Sequence, residues 1–359
     1  MAAALTALFA VAVSGCAADE SPHVLSGSPR VAVQHGQITL DGENWWPTGV
    51  NAYQLGTDWD INIGCGAEVD AEEFFASLAP RSLTRFNAYQ TLAIDRNTGE
   101  FNFAALDAVI AAAQKHEQLV IPVLTGQEGA CENNIFKQRD WYVSGWRNSM
   151  QPAVPFAEWV VMLAERWDGS SAIAAWELIG EPETSVCAGF DCTLELRTCP
   201  DDSAVVLRQF VDEAGALLRG ASPSHPITLG LVGGGQCGTA GADFEYVNES
   251  PYVDITQYHD YGADDEVLPG DEFDGLAARI TQSRNLGKPL LVGEIGIPAG
   301  TCLPLERRAD AFANKIRGQR EAGTAGALLW AYVPDPRRDA CTMDIGPDGP
   351  VWDMLESLW

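Results

Sequence analysis

The chain has 359 residues and a formal net charge of −28, from 50 acidic against 22 basic side chains. That balance argues against a nucleic-acid or anionic-membrane surface as partner and suits solubility outside a cell, with a neutral polysaccharide compatible. Hydrophobic residues make up 46% and aromatic residues 9%, with 11 tryptophans, enough for one large core, and no segment has a disordered or low-complexity composition.

In chain order, Met1 to Cys16 is an apolar run too short to span a bilayer. It ends in Val13-Ser14-Gly15-Cys16, which looks like a lipoprotein cleavage box. Residues 1–16 therefore read as a lipoprotein signal, with Cys16 as the lipid-bearing N-terminus, although no Lys or Arg precedes the apolar core; a plain secretory signal cut near Ala17 is the alternative. Residues 17–30 read as a polar tether and residues 31–359 as a single domain. Membrane attachment is expected only through Cys16, because no other stretch approaches the roughly 20 apolar residues of a span. Export to the cell surface or beyond and a monomeric state complete this expectation.

Val31 to Leu40 alternates around His35-Gly36 and predicts a hairpin. From Trp46 onward, strand-like and helix-like periods alternate, the pattern of a parallel sheet wrapped by helices. Strands are predicted at Pro47–Asn51, Ser82–Asn87, Leu119–Leu124, Ala172–Leu178, Ile227–Val232, Val253–Tyr258, Leu290–Glu294 and Ala327–Ala331. The helical period is clearest at Phe156, Trp159, Val160, Leu163 and Trp167. Further helices are expected at 72–79, 103–113, 202–219, 243–248, 273–286, 305–322 and 351–357.

Two of these strands deliver a glutamate at their ends: Trp176-Glu-Leu-Ile-Gly-Glu181-Pro182 and Pro289-Leu-Leu-Val-Gly-Glu294. Retaining hydrolysis of a glycosidic bond needs two carboxyl groups about 5 Å apart, one protonated to assist the leaving group and one ionised to attack the sugar. Strand ends on one face of a parallel sheet suit that requirement. The cysteines left after Cys16 are Cys65, Cys131, Cys187, Cys192, Cys199, Cys237, Cys302 and Cys341, an even set behind an export signal. That favours disulfides; with no Cys-x-x-Cys and no clustered histidines, no metal site is expected. No motif calls for a cofactor.

The order of these segments resembles clan A glycoside hydrolases, most closely glycoside hydrolase family 5, which includes many cellulases and β-mannanases. The resemblance implies an α/β (β/α)8 TIM barrel with a short N-terminal β-hairpin cap, Glu181 as acid/base after the fourth barrel strand and Glu294 as nucleophile after the seventh. It further implies that Arg85 pairs with Glu294, that His259 and Tyr261 lie near the nucleophile, and that Trp330 floors the reacting-sugar subsite. Tyr53 is expected to line the same cleft, and Trp59, Trp141 and Trp146 are candidate outer platforms. The match departs from the family at two points. Gly180 stands where the family has an asparagine that contacts the sugar 2-hydroxyl, so either Asn51, Asn87 or Gln257 reaches in from another strand end, or the substrate differs, or activity is weak. Thr125-Gly126-Gln127 stands where many members have a histidine. With the barrel assumed, Cys65–Cys131 and Cys302–Cys341 are the expected bridges, and Cys187, Cys192, Cys199 and Cys237 pair among themselves.

The function expected is a retaining β-glycoside hydrolase acting on a neutral polysaccharide or oligosaccharide. Gly49-Val-Asn-Ala-Tyr-Gln-Leu55 resembles the first-strand region of β-mannanases and puts mannan before β-glucan. The alternative, raised by Gly180, is a non-catalytic carbohydrate-binding lipoprotein on a degenerate hydrolase scaffold.

Overall fold

The computed structural model describes residues 29–189 and 192–358. Cys16, the signal and nearly all of the expected tether lie outside the described residues. Val31–Gln34 (β1) and Gln37–Leu40 (β2) form the predicted hairpin in antiparallel register, and Glu43–Asn44 (β3) adds a short third strand.

The barrel strands are Thr48–Asn51 (β4), Leu83–Asn87 (β5), Leu119–Val123 (β6), Trp176–Gly180 (β7), Ile227–Gly230 (β8), Thr256–Asp260 (β9), Leu290–Gly296 (β10) and Ala327–Trp330 (β11). They lie in the order β8-β7-β6-β5-β4-β11-β10-β9, all neighbours parallel, and a parallel bridge between Thr228 and Ile255 brings the two ends together. A helix follows each barrel strand, including the short Asp243–Asn248 after β8, so the architecture is a (β/α)8 barrel.

Two strands begin later than their apolar runs suggest, and both shifts matter for the site. Regular pairing in β7 begins at Trp176, whose N–H meets Pro226 O; before it Ile173 makes only an isolated bridge to Val120. The shift carries the strand through Gly180, directly before Glu181. In β9 the residues from Val253 are turned back on Ser250, so the strand proper starts at Thr256 and includes His259 and Asp260.

The core has two parts: the larger holds Trp159, Trp167 and Trp176, all fully buried, and a smaller one packs Val31, Ile38 and Leu40 of the hairpin against Leu83, Ile121, Leu291 and Leu328 of the barrel strands. Trp167 and Trp176 stack with ring centroids 6.2 Å apart, joining the helix Phe156–Trp167 to β7. The helix Leu305–Ala322 is tied to the end of β9 by a buried ion pair, Lys315 Nζ lying 3.0 Å from both Asp260 oxygens, with Gln319 donating to the same carboxylate at 2.7 Å. Two such charges are tolerated in a core only when paired and hydrogen-bonded, and here both are.

Four disulfides stand at the end of the barrel where the strands terminate: Cys65–Cys131, Cys187–Cys192, Cys199–Cys237 and Cys302–Cys341. Cys65–Cys131 links the loops after β4 and β6, Cys199–Cys237 those after β7 and β8, and Cys302–Cys341 those after β10 and β11. The long loop after β6 is ordered, with helical turns over Trp141–Asn148. Trp146 is fully buried and Trp141 packs against Phe156 and Phe210, so neither serves as a sugar platform. Trp59 remains 45% exposed, outside the central cleft.

Cys302 and Cys341 are 39 residues apart in sequence, and a bridge over that span removes about 4 kcal/mol of chain entropy from the unfolded state. The paired Cys302→Ala, Cys341→Ala variant is expected to unfold at lower denaturant by that amount while retaining its cleft. Equal midpoints in a urea titration would contradict this.

Candidate active site

A cleft of about 590 Å³ opens where the strands end, lined by Tyr53, Arg85, Asn87, Tyr89, Gly126, Glu181, Tyr261, Glu294 and Trp330 among others. Its floor is assembled around Arg85, which is 5% exposed. The guanidinium donates from Nε (2.8 Å) and Nη2 (2.7 Å) to the two oxygens of Glu177, and from Nη1 to Glu294 Oε1 (2.7 Å) and Asn51 Oδ1 (2.9 Å). Glu177 is fully buried and takes a further bond from Gln257 Nε2 at 2.8 Å. A planar fork held bidentately by one carboxylate can present its remaining edge to a second in only one direction.

Backbone irregularities aim both strand-end glutamates. In β10 the register slips between Val292 and Glu294, a bulge that sets Glu294 opposite His259 of β9. Glu181 adopts a φ of +54°, the left-handed region, directly between Gly180 and Pro182. For a residue with a side chain that costs on the order of 1–3 kcal/mol, a strain found most often at functional sites. The turn leaves the Glu181 side chain 35% exposed to the cleft, while that of Glu294 is 5% exposed beneath it. Oxygens of the two carboxylates and His259 Nδ1 all lie within 4.8 Å of one another. Carboxylates that approach this closely suit the near pair that a retaining mechanism uses.

His259 lies between them, its Nδ1 2.7 Å from Glu181 Oε1 and 3.6 Å from Glu294 Oε2. Tyr261 donates its phenol proton to the same Glu294 oxygen. Burial works to raise the Glu181 pKa, but the hydrogen bond and charge of His259, with Arg85, more than offset it, and the group sits below the ordinary carboxyl value. Burial raises Glu294 above that value, aided by the Glu181 charge and opposed by His259, Arg85 and the Tyr261 bond. Burial would lower His259, yet Glu294 and Glu181 together hold it above the ordinary histidine value. The 2.7 Å contact thus lowers the pKa of Glu181 and raises that of His259, each favouring the other's charged form.

Asn51 is fully buried, its Nδ2 donating to Gly293 O at 2.9 Å, and His259 has no exposed side-chain surface. Asn51 is thus turned onto backbone and Arg85, and His259 lies near the nucleophile as the resemblance implies. Gln257 is equally enclosed. Of the three side chains expected to stand in for the one absent at Gly180, only Asn87 lines the cleft. A Cβ at position 180 would lie 3.2 Å from Arg85 Nη2, so glycine here leaves the arginine fork uncrowded. Gln127 is buried and engaged with Lys137 O, Glu183 O and the Tyr142 hydroxyl, so it supplies no equivalent of the family's histidine. Tyr53 and Trp330 stack with centroids 5.6 Å apart, forming an aromatic wall suited to the apolar face of a pyranose. Glu177 was not expected in the site. Its signal in the sequence is a charge in an otherwise apolar strand, Trp176-Glu-Leu-Ile.

No protein-family model matches the sequence. A probable mannan endo-1,4-beta-mannosidase F of Aspergillus flavus is 25% identical over 370 aligned residues, covering 90% of this chain and 72% of the relative. Mannan endo-1,4-beta-mannosidase A of Emericella nidulans is 23% identical, covering 82% and 76%. Among solved structures, the endo-1,4-beta-mannanase of Rhizomucor miehei superposes with a TM-score of 0.68 at 15% identity, covering 91% of this chain and 97% of that one. A glycoside hydrolase family 5 mannosidase from the same organism gives a TM-score of 0.62 at 12% identity, covering 94% and 97%. In sequence the chain is similar to mannan endo-1,4-beta-mannosidases, and in fold it is similar to a glycoside hydrolase family 5 mannosidase. In this barrel the two departures read from the sequence, at Gly180 and at Thr125-Gly126-Gln127, fall on neighbouring strand ends, since Gly126 bridges to Gly180.

Replacing Glu177 with glutamine removes the charge that orients Arg85. Glu177→Gln is expected to lower kcat about 10- to 100-fold with little change in KM, because Glu294 loses its aligned cation, and to destabilise the fold by about 3 kcal/mol through a broken buried pair. Steady-state kinetics with a parallel unfolding curve measures both, and an unchanged kcat would show that Arg85 is oriented without Glu177.

Proposed function

We propose that this chain is a retaining β-mannan hydrolase, with Glu181 as acid/base and Glu294 as nucleophile. The observation that carries the reading is the close pair of carboxylates, one open to the cleft and one buried on Arg85. The relatives named mannan endo-1,4-beta-mannosidases support β-1,4-mannan as substrate. A non-catalytic sugar-binding role would not require Glu181, Glu294, Arg85 and Glu177 together, since binding needs no strained carboxylate and no buried cation behind a second one.

The first step puts a mannosyl unit against the Tyr53–Trp330 wall with its anomeric carbon over Glu294. Arg85 on Oε1 and Tyr261 on Oε2 oppose the rise in pKa that burial imposes and keep the attacking carboxylate charged. As the glycosidic bond breaks, the proton shared by His259 and Glu181, 2.7 Å apart, passes through Glu181 to the leaving oxygen, leaving Glu181 ionised and His259 neutral. Once Glu294 is esterified its charge is gone, and so is the largest contribution holding His259 protonated. Glu181 is then free to act as base on the incoming water, as the second half of a retaining mechanism needs.

The four disulfides suit folding in an oxidising compartment. We further propose that Cys16 carries a lipid anchor, on the strength of the Val13-Ser14-Gly15-Cys16 box. Cys16→Ala is expected to move the protein from the membrane to the soluble fraction, and an unchanged distribution would remove the anchor.

A reducing-sugar assay on β-1,4-mannan should show release by the wild type and none by Glu181→Ala. On an aryl mannoside with a good leaving group, Glu181→Ala should retain the first step and recover turnover with azide, because only poor leaving groups need the proton. Equal losses on both substrates without azide rescue would contradict the acid/base role.

The alkaline limb of kcat/KM reports loss of the His259 proton. A raised pKa keeps the imidazolium present above the ordinary histidine value, and activity falls as pH rises through the raised one. In His259→Gln the limb should move to lower pH and kcat on mannan should fall about 100-fold; an identical pH profile would show that His259 holds no working proton.

A further inference from the structure

We infer that Tyr89 is a sugar-reading residue of this cleft, its phenol hydroxyl placed over Gly126 to meet a hydroxyl of the bound mannosyl unit; this rests on the β-mannan reading above. Tyr89 follows β5, two residues beyond Asn87, and lines the cleft with Arg85, Glu181 and Glu294 although it is only 6% exposed. Among the described residues its hydroxyl has no hydrogen-bond partner. A tyrosine so deeply set ordinarily pairs its O–H, and an unpaired one at the wall of a cleft is aimed at something that enters.

The local backbone makes room for that hydroxyl. A Cβ at position 126 would stand 2.6 Å from Tyr89 Oη, so any side chain there would push the ring away. Gly126 is bridged to Gly180, and the neighbouring ends of β6 and β7 thus present bare backbone where family resemblance puts polar side chains. The phenol projects over this gap. It supplies, from the adjacent strand end, a hydroxyl where histidine and asparagine are both absent.

Its position is rigid. Ala88 N–H donates to Val123 O at 2.8 Å and Leu92 N–H to Tyr89 O at 3.0 Å, closing a turn around the residue. Thr91 Oγ1 donates to Cys131 O at 2.5 Å, beside the Cys65–Cys131 bridge, and Gln90 exchanges bonds with the Val154 backbone at 3.0 and 3.1 Å. A preorganised donor of this kind adds discrimination as well as affinity. Burial, reinforced by the Glu132 charge and opposed by Arg85, raises the phenol pKa well above its ordinary value, so it remains a neutral O–H able to donate and accept wherever the enzyme works.

The experiment compares wild type and Tyr89→Phe on a manno-oligosaccharide and on a set of analogues, each lacking one hydroxyl of the reacting unit. Removing the phenol oxygen is expected to lower kcat/KM on the full substrate about tenfold or more. The wild type's preference for the full substrate over one particular deoxy analogue should collapse towards unity in Tyr89→Phe, with the other analogues discriminated as before. Because this readout is a ratio of two substrates on one preparation, a loss of folded enzyme cancels from it. An active wild type whose ratios are all unchanged in Tyr89→Phe would overturn the assignment of Tyr89 alone. A wild type with no action on β-mannan would remove the underlying functional reading, and the proposal with it.

Discussion

The structure of the site depends on one buried cation. Arg85 reaches Glu177 with one edge and Glu294 with the other, so three side chains from β5, β7 and β10 are locked into a single plane inside a shell of barrel side chains. Isolated, each charge would be too costly to bury; joined, they leave Glu294 anchored to a group that cannot lose its proton. Asn51 and Gln257 complete the set by filling the remaining donor and acceptor positions, which is why neither is free to touch a sugar.

Above that plane the chemistry is set by His259. It stands between the two carboxylates because β9 begins three residues later than its apolar run and because β10 carries a bulge at Gly293. The result is a three-group cluster in which Glu181 is held below and His259 above its ordinary pKa, and the acid of the proposed reaction is the pair rather than either member alone. The left-handed backbone at Glu181 holds the exposed partner of that pair over the buried nucleophile.

The barrel was legible in the sequence because alternating apolar and amphipathic runs are long and their turn residues distinct, so the helix Phe156–Trp167 and the strand β5 lie where periodicity puts them. Strand starts were less legible. Ala172–Ala175 and Val253–Ile255 are apolar enough for strands, and only tertiary pairing shows that they are not. The pair Glu181 and Glu294 could be read from two strand ends. The state of their protons could not, since it depends on a histidine placed by a bulge. Glu177 and Tyr89 were missed for different reasons: Glu177 was hidden in the motif that drew attention to its neighbour, while Tyr89 matters only because Gly126, distant in sequence, leaves space for its hydroxyl.

The central claim is that Glu294, charged through its contact with Arg85, forms a covalent bond to the sugar. A 2-fluoro-mannoside with a good leaving group slows release of such an intermediate, so intact-protein mass followed by peptide mapping measures it directly. The account predicts a single adduct on the peptide carrying Glu294, absent in Glu294→Gln and poorly formed in Arg85→Ala. An adduct on Glu181 would exchange the two roles, and inverted product stereochemistry with no adduct on any cleaved substrate would contradict the retaining mechanism.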